Sequence, residues 1–223
     1  MSFRNRSEAG QQLAKALARY KADRAVVLAL PRGGVPVAAE IASALDTPLD
    51  LVLVRKIGVP DQPELAAGAV VDGQTPTVVR NESIIGLAGI SEANFAAIRD
   101  RELAEIERRR KLYLGDRPHP QLEGRTVIVV DDGIATGATT RAALRAIRTR
   151  KPRKLVLAVP VAPNSTLAAL KGEADDIVCL EAHEDFGAIG FFYADFSQVA
   201  DATVTELLAR HPVKPGAAAA TKA

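Results

Sequence analysis

The stretch VIVVDDGIATGAT, residues 127 to 139, holds the residue types most able to do chemistry in this chain. It opens with a β-branched apolar run, Val127 to Val130, which is typical of a strand buried on both faces of a sheet. Two adjacent carboxylates, Asp131 and Asp132, end the run, and a small hydroxyl-bearing turn leads into a helical pattern from Thr140 to Thr149. The pattern predicts an acidic pair and a helix N-terminus at the carboxyl end of a strand, where open α/β sheets bind ligands.

The turn and the acidic pair suit different chemical groups. A helix start leaves backbone N–H groups without intrahelical partners, and Gly137 lets the backbone approach an anion such as phosphate. Thr136, Thr139 and Thr140 can add hydroxyl donors. Two carboxylates would repel the same phosphate, so they should face vicinal hydroxyls or a divalent cation. A sugar 5-phosphate offers both kinds of group in one molecule.

This stretch resembles the signature of the type I phosphoribosyltransferases, whose ligand is 5-phosphoribosyl 1-pyrophosphate (PRPP). By that resemblance Asp131 and Asp132 hold the ribose 2- and 3-hydroxyls. Their contact with Mg²⁺ is indirect, because the ion is bound by PRPP. The resemblance assigns the 5-phosphate to the turn, that is, to Ala135, Thr136, Gly137, Ala138 and Thr139. Two other interpretations stay open. One is an ordinary buried strand with a solvated acidic turn, and the other is a metal-only acidic site, which would leave the Thr-Gly-Ala-Thr turn unused.

A second candidate anion site follows the predicted strand Ala25 to Leu30, where the chain reads Pro31-Arg32-Gly33-Gly34. Two glycines at a strand end permit unusual backbone angles and expose N–H groups, and Arg32 adds positive charge. A Gly-Gly turn is weak evidence by itself. The resemblance adds to it, because the family places a pyrophosphate-binding loop, often with a strained or cis peptide, after its first core strand. It assigns that role to Arg32, Gly33 and Gly34.

The predicted strand Leu49 to Val54 ends in Arg55-Lys56, two cations that could offset charge on a departing pyrophosphate. The alternative is a pair of solvated basic residues, but the family has a pyrophosphate-contacting basic residue at this place. Residues 57 to 68 are rich in proline and glycine and predict a loop. The resemblance makes this loop the candidate catalytic lid, in which Glu64 could act on the incoming base.

The segment of residues 182 to 198, which we call the hood, is unusually aromatic for a protein with 4% aromatic residues. Such rings can stack on a planar heterocycle, although we expect at least half of them to be simply part of the core. In the family a variable hood covers the base, and we expect Phe186, Phe192 and Tyr193 to contribute. Family members that use 6-oxopurines carry an acid three residues after the second carboxylate. Here that residue is Ala135, which disfavours hypoxanthine, guanine and xanthine.

Strand and helix patterns alternate along the chain, so we predict an α/β fold with a doubly wound, mostly parallel sheet flanked by helices. We expect one domain over residues 1–211, with a helical insertion at about 81–120, and a flexible tail over 212–223. Further predictions are a hairpin of Val70-Val71 with Thr77 to Val79, helices over 8 to 20 (N-cap Ser7), 91 to 114 (N-cap Ser91) and 200 to 208, strands over 154 to 160 and 176 to 180, and a helix from about 164.

Composition narrows the class of protein. With 48% apolar and 25% charged residues in 223, the chain suits a globular protein, and a formal charge of +2 gives little support for a nucleic-acid partner, although the pI near 8.8 leaves the question open. The basic run Arg108 to Lys111 alternates with acids, which favours a solvated or subunit-contact face over an RNA patch. We expect Cys179 to be a buried small hydrophobe and neither His119 nor His211 to bind a metal. Arg4 and Arg6 could reach a phosphate, but we expect them to be solvated.

These observations lead to one main hypothesis and two rivals. The main hypothesis is Mg²⁺-assisted transfer of the 5-phosphoribosyl group from PRPP to a small heterocyclic base, as in nucleotide salvage, by a cytoplasmic homodimer without a membrane segment. The first rival is a regulator that senses PRPP and acts on RNA, DNA or a protein, since a fold does not fix a function. The second is an enzyme that acts on a different phosphorylated sugar.

Overall fold

A computed structural model describes residues 2–60, 62–73 and 76–213, except for the side chains of Pro63 and Glu64. The described strands are β1 (Val26–Ala29), β2 (Leu49–Leu51), β3 (Val54–Val59), β4 (Gln62–Val71), β5 (Thr77–Arg80), β6 (Thr126–Val130), β7 (Lys154–Pro163) and β8 (Asp176–His183). The α-helices are α1 (Arg6–Ala16), α2 (Gly34–Leu45), α3 (Glu82–Leu87), α4 (Glu92–Tyr113), α5 (Ala138–Arg148), α6 (Asn164–Leu170) and α7 (Asp201–Arg210). Two 3₁₀ helices span Ala18–Asp23 and Ile189–Phe192.

The central sheet has five parallel strands in the order β2-β1-β6-β7-β8. Strands β1 and β6 are buried along their whole length, because helices cover both faces of the sheet. Helices α1, α2 and α7 share a hydrophobic cluster with one face, and α5 and α6 share another cluster with the opposite face. The predicted doubly wound α/β fold is confirmed.

The strand order reverses between β1 and β6, which lie side by side with Ala29 paired to Val130. From β1 the chain crosses outward to β2, and from β6 it crosses in the other direction to β7. The chain therefore leaves β1 and β6 in opposite directions, and the carboxyl ends of these two strands mark the ligand position expected for this topology.

A second, antiparallel sheet in the order β3-β4-β5 corrects the prediction of a loop over residues 57 to 68. Ile57 and Val59 alternate inward in β3, a period of two that the neighbouring glycines and prolines disguised in the sequence. The ladder shifts register around Gly58. Arg55 and Lys56 likewise lie within β3 and do not end a strand of the central sheet, because β2 stops at Leu51. The predicted hairpin of Val70-Val71 with Thr77 to Val79 is confirmed, and in it Val71 pairs with Thr77.

Helix starts follow capping chemistry. Ser91 caps α4 as predicted, since its hydroxyl accepts from the Asn94 N–H at 3.2 Å. For α1 the cap is Asn5 and not Ser7, and the Asn5 side chain accepts from the Glu8 N–H at 3.0 Å. None of the helices in the described ranges combines the length and apolar composition that crossing a bilayer requires.

His119 has a partner that the sequence did not indicate. Its Nδ1 lies 2.8 Å from a carboxylate oxygen of Asp50, a β2 residue with only 2% of its surface exposed. Asp72, which follows β4, is buried in the same corner, and burial raises the pKa of its carboxyl. Chiefly through the hydrogen bond to Asp50, the pKa of His119 is raised above its usual 6.5. The imidazole therefore links the segment before β6 to the edge of the central sheet.

We predict that His119→Asn lowers the free energy of unfolding at pH 6 but changes it little at pH 9. Asparagine keeps a donor for Asp50 without the charge, so the loss at pH 6 should be about 1 kcal/mol, the difference between charge-assisted and neutral hydrogen bonds. A raised histidine pKa stabilises the fold fully below about pH 6.5, and this contribution is lost as the pH rises through the raised value. Denaturant unfolding of wild type and variant at both pH values measures this change in the free energy of unfolding.

His211→Asn is the matched control. Burial lowers the pKa of His211, so protonation weakens the fold and the control should show the opposite pH slope. An equal loss for His119→Asn at pH 6 and pH 9 would contradict a stabilising charge on this ring.

Candidate sugar-phosphate site

The acidic pair lies directly against the glycines that follow β1. A Cβ atom on Gly33 would sit 2.0 Å from Asp132 Oδ2, and a Cβ on Gly34 would sit 2.7 Å from the Val130 carbonyl oxygen. Gly33 has φ of −59°, an angle open to any residue, so glycine is needed here for space and not for conformation. The predicted pyrophosphate loop and the predicted sugar-binding acids thus form one packed unit. The peptide bond between Pro31 and Arg32 in this loop is cis.

Arg6 enters this unit, which corrects the expectation that it is solvated. Its Nε donates to Asp132 Oδ2 at 2.7 Å, and each of the two side chains is 11% exposed. A second donor, Nη1, contacts the Ser197 carbonyl oxygen at 2.8 Å, and the guanidinium lies over the Phe196 ring at 3.9 Å. Arg6 is a site residue that sequence analysis missed, because its partner lies 126 positions away and no local pattern joins them.

The two carboxyls differ in their surroundings. Asp132 is paired with Arg6, whereas Asp131 accepts the backbone N–H of Asp132 at 2.9 Å. Burial, and then the neighbouring Asp132 anion, raise the pKa of Asp131 well above its usual range. The pair therefore combines a carboxylate held by a cation with a neighbour that resists ionisation until a donor or a positive charge arrives.

The turn after the acids forms a cup at the start of α5. Gly137 precedes the helix with φ of +75°, a left-handed angle that favours glycine, and no side chain of the described residues caps the first turn. Ala135, Thr136, Ala138 and Thr139 are exposed, so a ligand can reach the backbone there. The cup is fixed from outside by Thr166, whose hydroxyl donates to the Ala135 carbonyl oxygen at 2.6 Å.

Cations from two elements, β3 and α4, line the cavity beside Asp131. A cavity of about 130 Å³ is bounded by Pro31, Arg55, Arg109, Asp131 and Thr139 together with three apolar residues. Arg55 is held by the buried Glu102 of α4, with Nε 2.8 Å from Oε2. Arg55, Lys56 and Thr139 also line a larger cleft of about 800 Å³ between the β3–β4 hairpin and α4. The predicted basic residues and the cup are therefore neighbours.

Two other predicted residues have different surroundings. Arg32 points toward the start of α7, where its Nη1 lies 3.3 Å from Asp201 Oδ1. Tyr113 of α4 donates to the same carboxylate at 2.6 Å, so α4, α7 and the loop after β1 meet there. Glu64 lies in β4, and its side chain is outside the described part of the structure.

The hood packs its rings on one another and on the acidic pair. Phe186 and Phe192 are half-buried with centroids 5.2 Å apart, and Phe192 also contacts His183 at 4.6 Å. Tyr193 is 2% exposed and lies against Phe3, so in this structure it has no open face on which a base could stack, contrary to expectation. Its hydroxyl donates to the Asp132 carbonyl oxygen at 2.6 Å, which makes it a support for the acid.

Several other chemistries find no basis in the described residues. No group of three or more histidine, cysteine or carboxylate side chains converges there as a metal site. Burial raises the pKa of the Cys179 thiol to about 11, which disfavours the thiolate and agrees with a structural role. The basic run on α4 is paired within its own helix: Arg108 and Arg109 with Glu105, and Arg110 with Glu107.

Comparison with known proteins gives matches over almost the whole chain. The profile of the phosphoribosyl transferase domain matches residues 4–196. Two proteins from Mycobacterium tuberculosis, one in each of two strains and both named "Putative phosphoribosyl transferase", are 43% identical over 208 residues, which is 93% of this chain. The chain spans 46% of the length of either relative.

A solved structure also covers the chain. The crystal structure of TT1426 from Thermus thermophilus has 41% sequence identity and a TM-score of 0.78, and the match covers 96% of this chain and 100% of that one. The fold, the switch-point site and the family profile point to the same conclusion. The chain belongs to the phosphoribosyl transferase domain family.

Proposed function

We propose that this protein transfers the 5-phosphoribosyl group from PRPP to a nitrogenous base other than a 6-oxopurine and releases pyrophosphate. The observation that carries the proposal is the acidic pair beside an uncapped helix N-terminus at the switch point of the sheet. A phosphate group matches the helix start, and a vicinal diol matches the carboxylates. Ribose 5-phosphate carries both groups at the separation that one sugar ring allows.

The proposed ligand places its diphosphate toward the cations. The loop of Arg32, Gly33 and Gly34 borders the acidic pair, and Arg55 and Arg109 line the small cavity that Asp131 and Thr139 share. Lys56 lines the larger cleft that continues from it. Positive charge there would stabilise the negative charge that builds up on the leaving pyrophosphate.

In the proposed mechanism the protein aligns the ribose and excludes water from it, and it supplies no covalent nucleophile. The cup over Ala135 to Thr139 holds the 5-phosphate, and Asp131 and Asp132 hold the ribose hydroxyls so that C1 faces the base. The bond between C1 and the diphosphate oxygen breaks with its electron pair left on pyrophosphate, and a nitrogen of the base gives up its proton and forms the new bond to C1. The Asp132 carboxylate favours the positive charge that develops on the ring during this exchange. Glu64, on the hairpin, is proposed to act on the incoming base.

The acidic pair suits a Mg²⁺ ion that is held mainly by PRPP. Two adjacent carboxylates without a converging third ligand in the described residues suit an ion that takes most of its oxygens from a diphosphate. Asp131 and Asp132 would hold such an ion through PRPP. When bound, it would neutralise charge on the diphosphate.

The acceptor is proposed to bind under the hood. Phe186 and Phe192 are half-buried rings beside the site, and they are the proposed stacking surface for a planar base. Ala135 supplies no carboxylate to the ring edge, which is the basis for disfavouring 6-oxopurines. Transfer of the phosphoribosyl group to such a base would serve nucleotide salvage.

Three further expectations stay predictions: the domain limits of 1–211, dimer formation and a cytoplasmic location. The end of the tail predicted over 212–223 lies outside the described residues.

Pyrophosphate release over a panel of bases tests the proposal. With PRPP and Mg²⁺ we expect release with at least one base that is not hypoxanthine, guanine or xanthine. Asp131→Asn and Asp132→Asn should each lower the rate by at least tenfold, about the effect of losing one hydrogen bond to a charged group. Asp100→Asn is the control, because Asp100 is an exposed α4 residue paired with Arg99.

Two results would overturn the proposal. Tight PRPP binding with no release for any base would favour the sensor, and unchanged release by both Asn variants would remove the acidic pair from the site. The paired arginines of α4 argue against the nucleic-acid form of the sensor, since each pairing lowers the charge offered to a phosphate backbone.

We predict that Gly33→Ala abolishes detectable sugar-phosphate binding while the protein still folds. The added methyl would overlap the Asp132 carboxylate at 2.0 Å, so the carboxylate must leave its position. Gly86→Ala is the control, because the same methyl on α3 would meet no atom within 4 Å and should leave the fold unchanged or slightly more stable. Calorimetric titration with ribose 5-phosphate measures the difference, and equal affinities in the two variants would contradict the packed unit.

A further inference from the structure

The first residues of the chain pair with the hood. We call residues 2–6 the strap. The backbone N–H groups of Ser2 and Phe3 donate to the Phe192 carbonyl oxygen at 3.0 and 2.9 Å. In return, Ala194 N–H donates to the Phe3 carbonyl oxygen at 2.8 Å. Strap and hood, which lie at opposite ends of the sequence, are therefore joined as paired backbone segments.

Arg6 ends the strap and is the link between this paired unit and the acidic pair. Its guanidinium makes three contacts at once: an ion pair with Asp132, a hydrogen bond to the Ser197 carbonyl oxygen, and a stacked contact on Phe196. Arg4, two residues earlier, makes none of these contacts. Arg4 is 80% exposed and pairs only with Glu8 among the described residues.

The three contacts of Arg6 fix the direction in which its guanidinium meets Asp132. A guanidinium is a planar fork that can serve a carboxylate and a carbonyl while its face lies on a ring, and a lysine ammonium cannot reproduce this. Both side chains are largely removed from water, so the Asp132 carboxylate cannot turn away without leaving Arg6 unpaired. A carboxylate oxygen accepts more than one hydrogen bond, so Asp132 keeps lone pairs for a ligand hydroxyl.

We propose that Arg6 is a positioning residue of the sugar site, which acts through Asp132 and makes recognition of the vicinal diol depend on the strap and hood. This inference rests on the proposed function, in that the ligand is a ribose 5-phosphate. Arg6 fixes the Asp132 carboxylate before the sugar arrives, so the hydroxyls meet an ordered acceptor. The phosphate cup at α5 is built from other residues and does not depend on Arg6.

Calorimetric titration of the full chain with two probes, ribose 5-phosphate and inorganic phosphate, tests this role. Arg6→Gln should weaken ribose 5-phosphate binding by about tenfold to a hundredfold, the range for one hydrogen bond to a charged group. Inorganic phosphate, which needs only the cup, should bind as in wild type. Arg6→Lys should recover part of the loss. Arg4→Gln is the matched control, with wild-type affinity for both probes.

A double-mutant cycle separates positioning from a general structural effect. If Arg6 acts through Asp132, then adding Arg6→Gln to Asp132→Asn should cost little further affinity. Additive losses would overturn the inference, and so would equal weakening of both probes or a loss that Arg6→Lys does not reduce. Tighter ribose 5-phosphate binding by Arg6→Gln would overturn it too, because Arg6 would then be competing with the sugar.

The outcome is separable from that of the proposed function. A wild-type protein that binds no ribose 5-phosphate overturns the sugar site itself, and with it the proposed function. Wild-type binding that Arg6→Gln leaves unchanged overturns only the role of Arg6. Binding that depends on Arg6, in a protein that releases no pyrophosphate from PRPP, leaves this inference standing without the transferase activity.

Discussion

The site depends on close packing between the glycines that follow β1 and the carboxylates that follow β6. With any side chain at residue 33, the Asp132 carboxylate could not occupy its present position. Strands β1 and β6 are neighbours at the point where the strand order reverses, so the loops that follow them meet at one edge of the sheet. The buried strands supply the rigidity, and the glycines supply the space. Together they hold the two carboxyl groups side by side at the carboxyl edge of the sheet.

Sequence analysis predicted the central part of the molecule well, because that part follows local rules. The buried strand Thr126–Val130, the helix after Gly137 and the Ser91 cap each rest on residues within a few positions of one another. The prediction of a loop in place of the β3–β4 hairpin was wrong because proline and glycine hid a short period-two pattern. Propensity rules treat proline and glycine as residues that end a strand. In an antiparallel hairpin, however, both residues can lie at a β-bulge or in the turn without ending the pairing.

The residues that support the acidic pair and Arg55 could not be predicted from sequence. Arg6, Tyr193 and Glu102 each act across a long chain separation, and none lies in a motif. Their types would suit many other positions, since an arginine near a terminus or a tyrosine in an aromatic segment is usually solvated or core. Only the fold shows that Tyr193 and Arg6 support the same aspartate, from its backbone and from its side chain. The resemblance to the family gave the expected roles of the two acids, whereas the residues that hold them in place were found only in the structure.

The most direct measurement of the central claim is a crystal structure of the protein with ribose 5-phosphate bound. We expect the phosphate to lie against the backbone N–H groups at the start of α5, with the 2- and 3-hydroxyls donating to Asp131 and Asp132 and the Arg6 contact retained. A ligand bound elsewhere, or one bound with its phosphate in the cup and its hydroxyls turned away from both carboxylates, would contradict it.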